Sequence, residues 1–250
     1  MNFTSQIDAW TRLPDPSWAD DRAWKNRLAR DQARASNNQT PDQRTITNTV
    51  VNRALAIGAE GIALTGSTAR NRRTLISDLD YHVVGERPRV DDLPGDVDVY
   101  AGDAAQFWEK LRAGDDFVQW TVRYGCILHD SGILRAGLEA IAEDGIWPDA
   151  TDRMARLGEQ SAIARRLIEM GDRDAAQSEV RAALTSAARG VLLAGERFPL
   201  ARSELPGQLR CIGHDRLADS LDAAIHREPS LDQLAESLAV LPAPVPEKPV

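Results

Sequence analysis

Three short apolar runs, each closed by a glycine, lie between residues 61 and 102, and they constrain the chain more than any other feature. Gly61-Ile62-Ala63-Leu64-Thr65 is too short for a stable helix and suits a buried strand. Asp78-Leu79-Asp80-Tyr81-His82-Val83-Val84 is strand-like and ends at Gly85. Asp96-Val97-Asp98-Val99-Tyr100 alternates apolar and polar residues, the period of a half-buried strand. Helical signals surround these runs. Thr40-Pro41-Asp42-Gln43 combines a cap, a proline at the first helical position and a glutamine three after the cap. Ile46, Val50, Val51, Ala54 and Leu55 then form one face, and Gly58 ends it. Ser17 is placed to cap a helix over 18–34 that carries Trp18 and Trp24. With Trp10 they make a tryptophan-rich segment expected to pack onto a neighbour.

After Gly102 the period is helical throughout. Asp103 with Gln106 opens one helix, and further helices are expected over 117–128, 133–143, 151–170, 172–194, 203–211, 214–226 and 230–240. On the longest, Ala176, Val180, Ala183, Leu184, Ala187 and Val191 hold one face apolar. The expected class is α+β: a small mixed-sheet domain over 1–114 with an N-terminal helical extension, then an all-helical domain over 115–241. Residues 242–250 carry four prolines and no core, so a disordered tail is expected there.

Composition narrows the function classes. The 250 residues are 42% hydrophobic and 27% charged, as in a soluble globular chain. No apolar run approaches the roughly 18 residues a membrane span needs, and MNFTSQIDAW lacks the pattern of a secretory signal. A cytoplasmic protein is expected. Lys and Arg number 30 against 38 Asp and Glu, a net charge of -8. Proteins that grip long nucleic acid usually carry the opposite surplus. Cys126 and Cys211 sit in no CxxC or Cys/His cluster, so no zinc site is expected and both read as packing thiols.

The chemistry concentrates at 64–98. The first strand ends in Gly66-Ser67, where a bare glycine lets a ligand approach the backbone and a serine adds a hydroxyl. Eleven positions on, Asp78 and Asp80 stand two apart on a strand, hence on one face. Adjacent carboxylates repel unless a cation lies between them. Magnesium is the natural one, since it takes one or two carboxylates and completes its shell with phosphate oxygens and water. Asp98 brings a third carboxylate from the next strand, with Asp96 on the same face as the alternative. Such a set suits a two-metal site for in-line phosphoryl displacement.

Gly66-Ser67, then Ser77-Asp78-Leu79-Asp80-Tyr81, then Val97-Asp98-Val99 resembles the DNA polymerase beta-like nucleotidyltransferase superfamily. The likeness is to its small bacterial members with a helical C-terminal half, among them antibiotic nucleotidyltransferases. The motifs cover about 40 of the residues. The resemblance implies that Gly66 and Ser67 hold the phosphates of an NTP such as ATP. It also implies that Asp78, Asp80 and Asp98 are catalytic and bind two Mg2+ ions. Many small members have an arginine two after the serine. Here Ala69 stands there and Arg70 follows, so Arg70, Arg72 or Arg73 is the expected phosphate contact, with Arg70 first.

The expected reaction moves a nucleoside monophosphate from a Mg-NTP to a hydroxyl or amine. A small polar acceptor, such as an aminoglycoside-like antibiotic, is favoured. The alternatives are a toxin-like transfer to tRNA or protein, and a non-catalytic nucleotide-binding module. No membrane partner is expected, and a homodimer is compatible with the sequence. His82 alternates with Asp80 and is expected on the same open face. His129, before Asp130, reads as a helix-end residue, and His214 and His226 as helix-end or surface residues. The sequence does not rank Glu139, Glu169 or Glu179 as a general base.

Overall fold

The computed structural model describes residues 18–72, 78–148 and 150–242. Trp10, Ser17, Arg73 and the proline-rich tail from 243 onward lie outside them. The described chain forms two compact units, one ending at Pro148 and one beginning at Asp149.

The first unit runs α1 (Asp21–Asn37), α2 (Pro41–Ala56), β1 (Gly61–Leu64), α3 (Gly66–Ala69), β2 (Leu79–Val84), β3 (Val97–Gly102), α4 (Ala104–Arg112), α5 (Asp116–Tyr124), β4 (Cys126–Asp130) and α6 (Ile133–Asp144). Asp20 caps α1, accepting from the Ala23 N–H at 2.7 Å. Thr40 with Gln43, and Asp103 with Gln106, form the expected capping boxes of α2 and α4. The sheet is mixed, with strand order β3-β2-β1-β4. β1 is antiparallel to both neighbours, and β2 and β3 are parallel. A parallel pair needs a crossover of about a dozen residues, which 85–96 supplies. Arg53 of α2 pins it, reaching both Asp92 carboxylate oxygens at 2.7 and 2.9 Å and the Arg89 carbonyl at 2.7 Å.

β4 is absent from the sequence expectation, which carries one helix through 117–128. Gly125 divides that stretch. A Cβ there would stand 2.6 Å from the Thr121 carbonyl oxygen and 3.4 Å from that of Leu64. The chain therefore leaves α5 at Gly125 and pairs with β1, and Leu64 stands opposite Cys126. The break expected near 114 falls inside the first unit, because β4 completes the sheet. His129 consequently lies on a strand and not at a helix end. Asp130 caps α6, accepting from the Leu134 and Arg135 N–H groups at 2.9 and 3.3 Å.

α1 covers the β4 edge, which would otherwise be a template for unwanted pairing. Gln32 donates to the Leu128 carbonyl at 3.0 Å, and Asp31 accepts from the Ile127 N–H at 3.3 Å. Arg27 and Arg34 flank Asp31 at 3.4 and 3.1 Å, which meets the requirement that buried charges be paired. Trp24 is in the core with Phe107, Leu111, Ile127 and Leu134, and Trp18 packs beside it.

The second unit is helical: α7 (Thr151–Glu169), α8 (Arg173–Ala194), a 3-10 turn (Arg202–Glu204), α9 (Leu205–Cys211), α10 (Asp215–His226) and α11 (Leu231–Leu238). α8 is its axis, and Ala176, Val180, Leu184, Ala187 and Leu192 are fully buried against Leu157, Leu209, Leu221 and Leu234. Of the face read from sequence, only Val191 stays partly exposed. Cys211 is exposed, contrary to its reading as a packing residue, while Cys126 is buried. His214 and His226 stand at the two ends of α10, as expected. Among the described residues no helix is long and apolar enough to cross a membrane.

Candidate active site

The site begins where β1 ends. Thr65 donates its N–H to the Asp80 carbonyl at 2.8 Å, locking the end of β1 beside the start of β2. Gly66 follows with φ +63°, and a Cβ on it would stand 2.0 Å from the Asp80 Oδ2. The Asp80 carboxylate thus lies directly over Gly66, and a side chain there would have to displace it while holding a left-handed backbone. Ser67 is half-buried, one residue into α3, whose single turn also buries Thr68. Thr68 donates its hydroxyl to the Asp78 carbonyl at 3.4 Å, and Asn38 of α1 donates to the Thr68 carbonyl at 3.0 Å. The glycine-serine turn is therefore tied both to the acidic strand and to α1.

The carboxylates follow from register. Leu79 pairs with Val97, Asp80 with Asp98 and His82 with Tyr100 across the parallel strands. Register partners on neighbouring strands stand about 4.8 Å apart at the backbone and share a face. Leu79, Tyr81 and Val99 point the other way and are buried. Asp78 is exposed just before β2 and does not line the cavity described next. The Leu79 N–H donates to the Asp96 carbonyl at 2.9 Å, so the ladder continues one step back. Asp80 and Asp98 share a cavity of about 320 Å3 with Tyr100, Lys110, Asp115 and Phe117. Asp96 does not line it, so the geometry brings Asp98, and not Asp96, to Asp80.

Among the described residues, no three His, Cys, Asp or Glu side chains stand close enough to enclose a metal ion. The acidic face is an open edge. That arrangement fits magnesium, which takes one or two carboxylates and leaves the remaining positions to water and phosphate. The donor set is hard oxygen, as magnesium prefers. A larger concavity of about 760 Å3 lies between α10 and α11 of the helical unit, lined by Arg216, Asp219, Arg227, Gln233 and Glu236 among others. It contains none of the expected site residues.

Two expected site residues behave differently from their neighbours. Arg70 ends α3 half-buried, near enough to Tyr124 for its charge to act on that phenol. It does not line the cavity. His82 shares the Asp80 face but is not open: α4 and α5 cover it, leaving 3% exposed. Its Nδ1 meets the Thr121 hydroxyl at 3.0 Å, and its ring packs against Tyr100 and Phe117 at 5.0 and 5.5 Å. Burial, reinforced by the Lys110 charge, pushes its pKa down to about 4. His82 is thus a neutral packing residue with no path to substrate.

The depressed pKa has a signed consequence. An unfolded chain protonates this histidine near pH 6.5, while the folded chain resists until about pH 4. Stability is therefore full above pH 6.5 and falls as the pH drops toward 4, by on the order of 3 kcal/mol. Urea unfolding of the parent and His82→Gln at pH 7 and pH 4.5 checks this. The variant is expected to lose less stability across that interval, and equal losses would show that His82 is not the group responsible.

Sequence reading missed Tyr100, Lys110, Asp115 and Phe117 as lining residues. Tyr100 had a signal, standing two after Asp98 in the alternating strand. Lys110, Asp115 and Phe117 come from α4 and the start of α5, and nothing local marks the tertiary packing that turns them toward β3.

No family model matches this chain. No curated protein matches it either. Among solved structures, a nucleotidyltransferase-like protein from Exiguobacterium sibiricum 255-15 is similar over 80% of this chain and 73% of its own length, at 17% identity and a TM-score of 0.41. A likeness that loose carries no argument, and the functional reading rests on the cavity.

Proposed function

We propose that this chain is a magnesium-dependent nucleotidyltransferase that moves a nucleoside monophosphate from an NTP to a hydroxyl or amine. The observation that carries the reading is the register of Asp80 with Asp98 in one cavity, with the Asp80 carboxylate seated over Gly66. Asp80 and Asp98 would hold magnesium. When bound, the metal supplies positive charge that orients the phosphates and neutralises charge developing on the transferred group.

The chain's own residues do the rest. Gly66 leaves room for the Asp80 carboxylate above it, and the Ser67 hydroxyl next in the turn would donate to phosphate oxygens. The acceptor oxygen or nitrogen forms its bond to the α-phosphorus while the bond from that phosphorus to pyrophosphate breaks. The acceptor's proton leaves to solvent. Holding the two partners in line contributes as much as charge does. The nucleotide is an NTP such as ATP, and the acceptor is a small polar molecule. A chain of net charge -8 does not favour a polyanionic acceptor.

The test is incubation with Mg2+ and each labelled NTP beside aminoglycosides, lincosamides and total tRNA. Labelled small-molecule product with release of pyrophosphate is expected. Robust labelling of tRNA with none of the small molecules would move the protein to the toxin-like class. No transfer to any acceptor, with no Mg-NTP binding, would sink the enzyme reading.

A further inference from the structure

We infer that Lys110 is a nucleotide-binding residue of this site, its ammonium contacting the phosphoryl group that is transferred. The inference rests on the nucleotidyl-transfer reading above.

The cavity has two differently charged sides. Asp80 and Asp98 come from the sheet, and Lys110 comes from the last turn of α4. Lys110 is the one cation among the described residues that line it. A lysine on an exposed helix end normally samples many rotamers, at an entropic cost of up to about 2 kcal/mol when fixed. Here the structure fixes it. The ammonium donates to the Tyr100 hydroxyl and lies 4.7 Å from the centre of the Tyr100 ring. Tyr100 is itself set by the strand, two residues beyond Asp98 and edge-on to Phe117 at 5.1 Å.

The Tyr100 hydrogen bond above all, and then the charges of Asp115 and Glu109, favour the protonated amine. Asp115 cannot swing to the metal edge, because one of its oxygens accepts from the Phe117 and Val118 N–H groups at 3.0 and 2.9 Å. The ammonium is thus held charged on the α4 side of the cavity, with Asp80 and Asp98 on the sheet side. A metal held by Asp80 and Asp98 would add a second cationic centre to this cavity, and a phosphate group would answer both. The group that must sit at the metal is the α-phosphoryl. An ammonium has three donors. Tyr100 takes one, and the others can reach non-bridging phosphate oxygens. Lys110 keeps its proton throughout and stabilises charge on the group as the bond to pyrophosphate breaks.

Calorimetric titration of the full chain in Mg2+ tests this, using α,β-methylene-ATP, AMP and inorganic tripolyphosphate as probes, with Mg2+ alone as a control. Asp80→Asn is titrated beside Lys110→Gln and Lys110→Arg. In Lys110→Gln, α,β-methylene-ATP and AMP should both weaken roughly ten- to a hundred-fold, the loss of one charge-assisted hydrogen bond. Lys110→Arg should recover most of that. If the nucleotide and tripolyphosphate weaken while AMP does not, the contact is to the pyrophosphate end and the inference is overturned. If Lys110→Gln tightens Mg2+ alone and leaves every nucleotide unchanged, the lysine merely balances carboxylate charge, and the inference again falls. In both cases the site reading survives, provided the parent binds nucleotide and Asp80→Asn does not. A parent chain that binds none of the probes overturns the reading and the inference together.

Discussion

Asp80→Asn is expected to reduce nucleotidyl transfer by on the order of a thousand-fold while leaving the fold intact. A bound metal supplies several kcal/mol of charge stabilisation, and each ~1.4 kcal/mol is a factor of ten in rate. Asp80 is the carboxylate with least room to be replaced by a neighbour, since Gly66 lies under it and Asp98 stands opposite it in register. The amide keeps the size of the side chain, so the turn over Gly66 should survive. The fold should therefore survive, and the melting temperature should change little. Asp98→Asn should fall comparably, and Asp96→Asn far less, because Asp96 stands outside the cavity. Rates of labelled transfer, with melting curves for each variant, decide the matter. Full activity in Asp80→Asn would mean the acidic face is not a metal site. Equal losses in Asp96→Asn and Asp98→Asn would mean the cavity does not define it.

Much of this site could be read from the sequence because it depends on local rules. The two-residue period separates Asp80 from the buried Leu79 and Tyr81, and Asp98 from the buried Val99. The bare Gly66 marks a close approach to the backbone, although the sequence points to a ligand there and the structure puts the Asp80 carboxylate in that space. The capping boxes at Thr40 and Asp103 set helix starts within a residue of their observed places. Where packing overrides the local pattern, the reading fails. His82 obeys the period and yet is buried, because α4 and α5 lie over that end of the sheet and leave the Asp80 end open. Lys110 and Asp115 look like ordinary surface charges near helix ends and reach the cavity through the same packing. The choice between Asp96 and Asp98 turns on strand register, which no single strand contains.

The boundary of the α/β unit has the largest consequence for stability. A fragment ending at Gly114 matches the sequence-based boundary, but it is expected to be unfolded. It would lack β4, exposing both edges of a three-stranded sheet and the β1 groups that pair with 126–130. It would also lack Val118, Val122, Ile127, Leu134, Leu138 and Ile141, more than half of the core cluster that holds Phe107 and Leu111. Each large aliphatic lost from such a core costs about 2–5 kcal/mol, whereas a whole domain is stable by only about 5–15 kcal/mol. Asp31 and Arg27 would in addition lose their backbone partners at Ile127 and Val122. A fragment ending at Pro148 keeps the four strands, the α1 cover and every residue lining the cavity. It should therefore unfold cooperatively in urea and bind Mg-α,β-methylene-ATP, since the residues proposed to hold the nucleotide all lie before 148. Circular dichroism and urea titration of the two fragments separate the outcomes. Cooperative unfolding of the 1–114 fragment would show that β4 is dispensable and that the unit closes before α5.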